Sequence, residues 1–130
     1  MSEIQVPVSP GELLDKITIL QIKSERMSDP AKVANVRTEL TMLTQVWASA
    51  VEADDTIAAL TIELKSINEA LWEIEDDIRD EERNQRFGER FIELARAVYV
   101  TNDQRAEAKK KVNLHLNSTI VEEKSYQDYR

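Results

Sequence analysis

Apolar residues recur along this chain at three- and four-residue intervals, the spacing that gathers side chains onto one face of an α-helix. The cleanest run is Ile57, Leu60, Leu64, Ile67, Leu71, Ile74 and Ile78, whose steps alternate strictly between three and four. It specifies a coiled-coil-like seam and predicts a helix from Asp54 or Asp55 to about Gln85, roughly 45 Å long. Val33, Val36, Leu40, Leu43, Trp47 and Ala50 repeat the pattern in a helix that opens at Asp29-Pro30. The first helix opens at Ser9-Pro10-Gly11-Glu12, a capping box with Pro at the first helical position, and runs to about Met27. Its Leu13, Leu14, Ile17 and Leu20 share one arc, while Ile19 and Ile22 lie nearly opposite. A helix apolar on two sides is either central to a bundle or shared with a second subunit. Asp15 stacks with Ile19 and Ile22, which makes it the most awkwardly placed acid of the segment.

Phe87-Gly88 breaks the pattern, and a fourth helix follows to about Val100 with Phe91, Leu94, Ala95 and Val98 inward. Thr101-Asn102-Asp103-Gln104 reads as another capping box, with Asn102 and Asp103 as caps of a fifth helix or a kinked continuation to Asn117. Residues 1–8 form an N-terminal extension, and Ser118 to Arg130 form a polar tail, docked or disordered.

Composition agrees with long helices. Among 130 residues only 2 are Gly and 3 are Pro, far below average usage. Most of them stand at joints: Pro10 and Pro30 start helices, Gly11 lies within a cap and Gly88 at a break. Leu, Ile, Val and Phe are plentiful enough for a core, and the length suits a single domain over 1–130. The absence of cysteine excludes disulfides, thiolate metal sites and cysteine nucleophiles, and the single histidine, His115, leaves no imidazole pair. A net charge of −8 argues against nucleic acid, which demands clustered Lys and Arg. No stretch reaches the roughly 18 apolar residues a membrane span needs, and Met1 to Pro10 lacks the features of a signal peptide. The expectation is a soluble, acidic, cytoplasmic protein. The charge is segregated: residues 52–82 carry 12 acids and 2 bases, and residues 83–115 carry 8 bases and 4 acids. Two neighbouring helices with complementary faces explain this, and an anion-binding surface around Arg83, Arg86, Arg90 and Arg96, or around Arg105 and Lys109 to Lys111, is the sharper alternative.

Two rows on the third helix carry candidate chemistry. Glu69, Glu73, Asp76 and Asp80 are spaced to line up for Mg²⁺, but they point away from the apolar seam and read as a solvated face. Asn68, Trp72, Glu75 and Arg79 instead border the seam, where Asn68 and Glu75 lose part of their water. This row reads as a boundary network that fixes helix register, or as one wall of a ligand pocket completed by Asp15 or Glu12. Lys16, Arg96 and Tyr99 complete the binding candidates. No Ser-His-Asp set, phosphate loop or His-bearing metal motif is present, so no catalytic residue is assigned.

The run Ser9-Pro10-Gly11-Glu12-Leu13-Leu14-Asp15-Lys16-Ile17-Thr18-Ile19-Leu20 resembles the opening of a family of small uncharacterised bacterial and phage proteins. The resemblance continues through Leu71-Trp72-Glu73-Ile74-Glu75-Asp76, Ile78-Arg79, Phe91 to Arg96, Asn102-Asp103, Arg105-Ala106 and Glu122 to Tyr126. It implies a domain of unknown function and leaves the activity open. Asp76-Asp77-Ile78-Arg79-Asp80 is similar to the first motif of the MazG-type nucleotide pyrophosphatases, which place acids from two helices around Mg²⁺. Their second motif, Glu-x-x-Asp, has no downstream counterpart here, and Glu12-Leu13-Leu14-Asp15 has its spacing but precedes the first. Under that resemblance Glu12, Asp15, Glu75 and Asp76 are the metal ligands; otherwise no metal or cofactor is expected.

These readings converge on an all-α bundle of four or five helices, with helices two and three as a long antiparallel hairpin. The expected role is a non-enzymatic interaction or assembly module that forms a homodimer or other homo-oligomer and takes a protein partner, without nucleic acid or membrane. The alternative is a Mg²⁺-dependent hydrolase of the MazG type.

Overall fold

The computed structural model describes residues 3–129, and its helices begin where local chemistry offers an acceptor for orphan N–H groups. Helix α1 spans Pro10–Arg26, with the Ser9 hydroxyl accepting from the Glu12 N–H at 3.2 Å. Helix α2 spans Pro30–Ala50, with the Asp29 carboxylate accepting from the Ala31 N–H at 3.0 Å. Helix α3 spans Asp55–Arg83, capped by Asp54, which accepts from the Ile57 N–H at 2.7 Å. Helix α4 spans Glu89–His115 behind Gly88, which supplies no side-chain cap.

The expected break after Val100 does not occur. Asn102 and Asp103 lie inside the unbroken α4, where the backbone N–H groups a cap would need are already bonded to carbonyls one turn back. The Asp103 carboxylate instead accepts from Lys124 and from the Tyr129 hydroxyl, both at 2.7 Å. The described residues therefore form four helices, with no fifth.

The long antiparallel hairpin is α3 with α4, not α2 with α3. Its register is marked by Asp54 against His115 at 2.8 Å, Glu63 against Lys111 at 3.2 Å and Asp77 against Arg90 at 3.5 Å. The acidic and basic blocks thus belong to neighbouring helices that pair across their contact. At the bend, the Gln85 N–H bonds Glu82 O and the Arg86 N–H bonds Glu81 O, a Schellman closure with Gln85 at φ 55°. Gly88 has an ordinary φ of −83°, so the left-handed residue of the bend is a glutamine and the nearby glycine only starts α4.

Helix α1 is the centre of the fold and packs against all three others, whereas the backbone of α2 approaches α1 alone. The extended conformations of Val51 and Asp54 carry the chain off α2 without folding it back, and α3 settles on another flank of α1. Both apolar arcs of α1 are consequently covered within the chain, and Leu14, Ile17, Leu20 and Ile22 are all buried. The main core unites Leu14 with Ile57, Leu60 and Leu64 of α3 and Ala108 and Val112 of α4, with Trp47, Ile67 and Leu116 against its edge. Along the α3 seam Leu71 is also buried, while Ile74 and Ile78 are half-buried near the far end of the hairpin. Beyond a second Schellman closure at Asn117, φ 54°, the tail runs back along α4. Lys109–Glu122 at 3.4 Å, Lys110–Glu123 at 3.5 Å and a Tyr99–Tyr129 edge-to-face contact at 5.0 Å dock it there.

Candidate functional site

The start of α1 meets the second half of α4 more closely than two helices with side chains could. A Cβ on Gly11 would lie 2.4 Å from the Lys109 carbonyl oxygen, so glycine is required for the approach. At this distance the Gly11 N–H reaches the Asn113 side-chain oxygen at 2.7 Å. The orphan donors of α1 are thus shared out: Pro10 has none, Gly11 uses Asn113, Glu12 uses the Ser9 hydroxyl and Leu13 uses the Ser9 carbonyl. The capping box is completed differently from expectation, because the Glu12 carboxylate takes the Lys109 ammonium.

One turn further on, Asp15 is 1% exposed and is met from two helices. Arg105 Nε donates to Oδ1 at 2.9 Å and its Nη2 donates to Oδ2, a bidentate fork. Asn68 Nδ2 of α3 donates to the same Oδ1 at 2.9 Å and to the Thr18 hydroxyl oxygen at 3.0 Å. Thr18 in turn donates to the Asp15 carbonyl at 2.8 Å. The tail closes the other end, where Glu122 accepts from the Ser9 hydroxyl at 3.3 Å and from Lys109 at 3.4 Å. Of the six buried polar residues among those described, Ser9 and Asn113 belong to the cluster at the start of α1, Asp15, Thr18 and Asn68 to the adjoining one a turn further on, and Thr101 to neither. No buried side-chain nitrogen or oxygen among the described residues lacks a partner.

The charges reinforce each other. The hydrogen bond from Lys109 holds the Glu12 carboxyl below its ordinary value, against the opposing effect of burial. Burial alone would depress the Lys109 ammonium, but the hydrogen bond to Glu12 and the charges of Glu12, Asp15 and Glu122 raise it overall. Arg105 is pushed up by its hydrogen bond to Asp15, against partial burial. At the start of α3, the Ile57 N–H and then His115 lower the Asp54 carboxyl.

Of the residues singled out from sequence, Asp15 and Asn68 come together. Lys16 turns to the opposite side and pairs with Glu39 of α2 at 3.1 Å. Glu75 pairs with Arg79 one turn along α3, at the surface, so the row Asn68, Trp72, Glu75 and Arg79 does not act as one network. Trp72 is half-buried, Arg96 is exposed, and Tyr99 rests on Tyr129. Among the four acids of the metal reading, Glu12 and Asp15 are engaged by Lys109 and Arg105, Glu75 by Arg79, and Asp76 is exposed. Among the described residues, no three His, Cys, Asp or Glu side chains gather as a metal site.

The sequence put Arg105 and Lys109 together as an anion-binding surface, whereas with Asn113, which it did not single out, they hold Asp15, Glu12 and Gly11 of α1. Their spacing of four along α4, beside the apolar positions Ala108 and Val112, was the available signal. A cleft of about 1230 Å³ opens between α4 and the tail, lined by Arg105, Lys109, Lys110, Glu122, Lys124 and Tyr126 among others. Its lysines face acids: Lys110 meets Glu123, Lys111 meets Glu63 and Lys124 meets Asp103.

The fold and its polar network define a four-helix protein whose N-terminal helix is locked to α3, α4 and the tail by ion pairs and side-chain amides. The chain belongs to the family of unknown function DUF6165, which it matches over residues 4–129. No curated protein and no solved structure matches the chain. Among the described residues no helix is long and apolar enough to cross a membrane.

Proposed function

We propose that the protein is a non-enzymatic, cytoplasmic interaction module that self-associates and works without metal or cofactor. The observation that carries this reading is the closure of the polar network. Both Asp15 oxygens, the Glu12 carboxylate and the Asn68 and Asn113 amides are engaged by protein groups, in an arrangement that fixes helices. A hydrolytic site instead keeps a carboxylate or a metal position open to substrate. Support for self-association comes from Met42 and Val46, large apolar side chains left side by side at the surface of α2. The two apolar arcs of α1, both covered within the chain, supply no such support.

The reading is tested by light scattering over a hundredfold range of protein concentration, with a thermal-shift panel of Mg²⁺ and Mn²⁺, each with and without nucleoside triphosphates. A concentration-dependent dimer with an unmoved melting temperature is expected. A monomer at every concentration, or a clear metal-and-nucleotide shift, would overturn it.

A further inference from the structure

From Leu40 to Val51 twelve consecutive residues carry no charge, and none of them is buried. In a chain that is 32% charged, about four charges would be expected there, because half-exposed helical positions are where Lys, Glu, Arg and Asp ordinarily collect. Met42 is 44% exposed and Val46 49% exposed, one helical turn apart. On the helical wheel they extend the arc of Val36, Leu43, Trp47 and Ala50, so the apolar side of α2 is wider than its single neighbour α1 covers.

Building on the self-association proposed above, we infer that this face of α2 is the dimer contact and that its occupant is the same face of a second copy, related by a two-fold axis. Charge selects the partner. The net charge is −8, and α3 alone carries −7, its 29 residues holding ten acids and three bases, so two copies repel each other wherever their α3 surfaces face. The Leu40–Val51 face is where two identical surfaces meet without opposing like charges, and it offers no charged groups to a basic or acidic partner. A two-fold contact pairs the face with itself and closes the assembly, whereas a head-to-tail contact would leave a copy of it open at each end. With the two-fold axis perpendicular to α2 the two helices run antiparallel, the favourable arrangement of their dipoles. The uncharged stretch extends only about 18 Å along the helix, so the contact belongs to the small class of interfaces. The dimer therefore dissociates on dilution.

The chain has no cysteine, so single introduced thiols report proximity without background. Val46→Cys and Met42→Cys are compared with Ile92→Cys, a 55% exposed position on α4, under mild oxidation at dimer-forming concentration. Light scattering is run in parallel on the wild type and on Met42→Glu/Val46→Glu, with circular dichroism as the check on folding. The expected result is disulfide-linked dimer from the α2 thiols, little from Ile92→Cys, and at least a tenfold weaker dimer in the double Glu variant. A wild-type dimer with no α2 cross-link, unweakened by the Glu pair, overturns this surface and leaves self-association standing. A wild type that stays monomeric overturns both. Should the Glu variant lose its helicity, the thiol comparison alone decides between the surfaces.

Discussion

Asp15 and Arg105, separated by 90 residues, meet as a two-pronged ion pair at the junction of α1 and α4, with the carboxylate almost wholly withdrawn from water. A buried charge that loses its partner stays desolvated without compensation. Asp15→Ala is therefore expected to cost about 3 kcal/mol, and Arg105→Ala a similar amount. The double variant Asp15→Leu/Arg105→Met should be more stable than either single change, because no charge is then left stranded. Urea denaturation of the four proteins checks this, and a double variant less stable than either single one would contradict it.

Gly11 makes a prediction of a different kind. Its added methyl in Gly11→Ala would stand 2.4 Å from backbone rather than from a side chain that could swing aside. The helices must part, the 2.7 Å bond to Asn113 is lost, and a penalty of about 2–3 kcal/mol follows. Asn113→Ala should reproduce part of the loss by leaving the Gly11 N–H unpaired, at about 1–2 kcal/mol. A melting temperature for Gly11→Ala within a degree of wild type would refute the close-approach argument.

The Glu12–Lys109 pair fixes a pH dependence. The Glu12 carboxyl is lowered from its ordinary 4.5, so its contribution is present above that value and is lost as pH falls through the lower folded-state value. The Lys109 ammonium is raised from 10.5, so its contribution is present below that value and disappears as pH climbs past the higher one. Lys109→Met keeps the apolar stem and removes both. With Glu12 partly solvated, the loss at neutral pH is about 1 kcal/mol, and the fall in stability below pH 4.5 becomes shallower. Stability measured from pH 3 to 7 on both proteins reads this out, and an identical acid limb would exclude the pair as its source.

The bend between α3 and α4 predicts a gain. Gln85 holds φ 55°, a conformation that costs a residue with a Cβ about 1–2 kcal/mol. Gln85→Gly relieves this while loosening the unfolded chain, for a net stabilisation of about 0.5 kcal/mol. Gly88→Ser, at the uncapped start of α4 with nothing within 4 Å of the new Cβ, adds a few tenths more. Differential scanning calorimetry should place the double variant about 3 °C above wild type. A lower melting temperature for Gln85→Gly would show that the left-handed turn is not a source of strain.

The helices and their starts were legible because caps and apolar spacing are local. Ser9 and Asp29 cap α1 and α2 where the sequence placed the helix starts, Asp54 rather than Asp55 caps α3, and the α3 seam from Ile57 to Leu71 turns inward. What misled was local chemistry overruled at long range. Asn102 and Asp103 have cap-forming side chains, yet α4 continues through them because its inner face, from Leu94 through Thr101 to Val112, is covered on both sides of the expected break. The pairing of helices was equally non-local, since a short connector is compatible with α2 folding back on α3 or leaving it. For the site, Asp15 was visible as an acid among apolar residues and Asn68 as a polar group at the seam. Their meeting and the arrival of Arg105 depend on how three helices cross, which no single-helix pattern contains.

The span of the α1 contacts has a consequence for biosynthesis. Arg105 follows Asp15 by 90 residues, Lys109 follows Glu12 by 97, and Asn113 follows Gly11 by 102. At about 5–20 residues per second, a ribosome finishes α1 roughly 5–20 s before it supplies these partners. Over that interval the nascent chain carries an N-terminal helix with unmatched acids and an open apolar flank. Helix α1 is made before α2, α3 and α4 yet is completed after them, so a chain cut short before Arg105 lacks the groups that fix α1 in place.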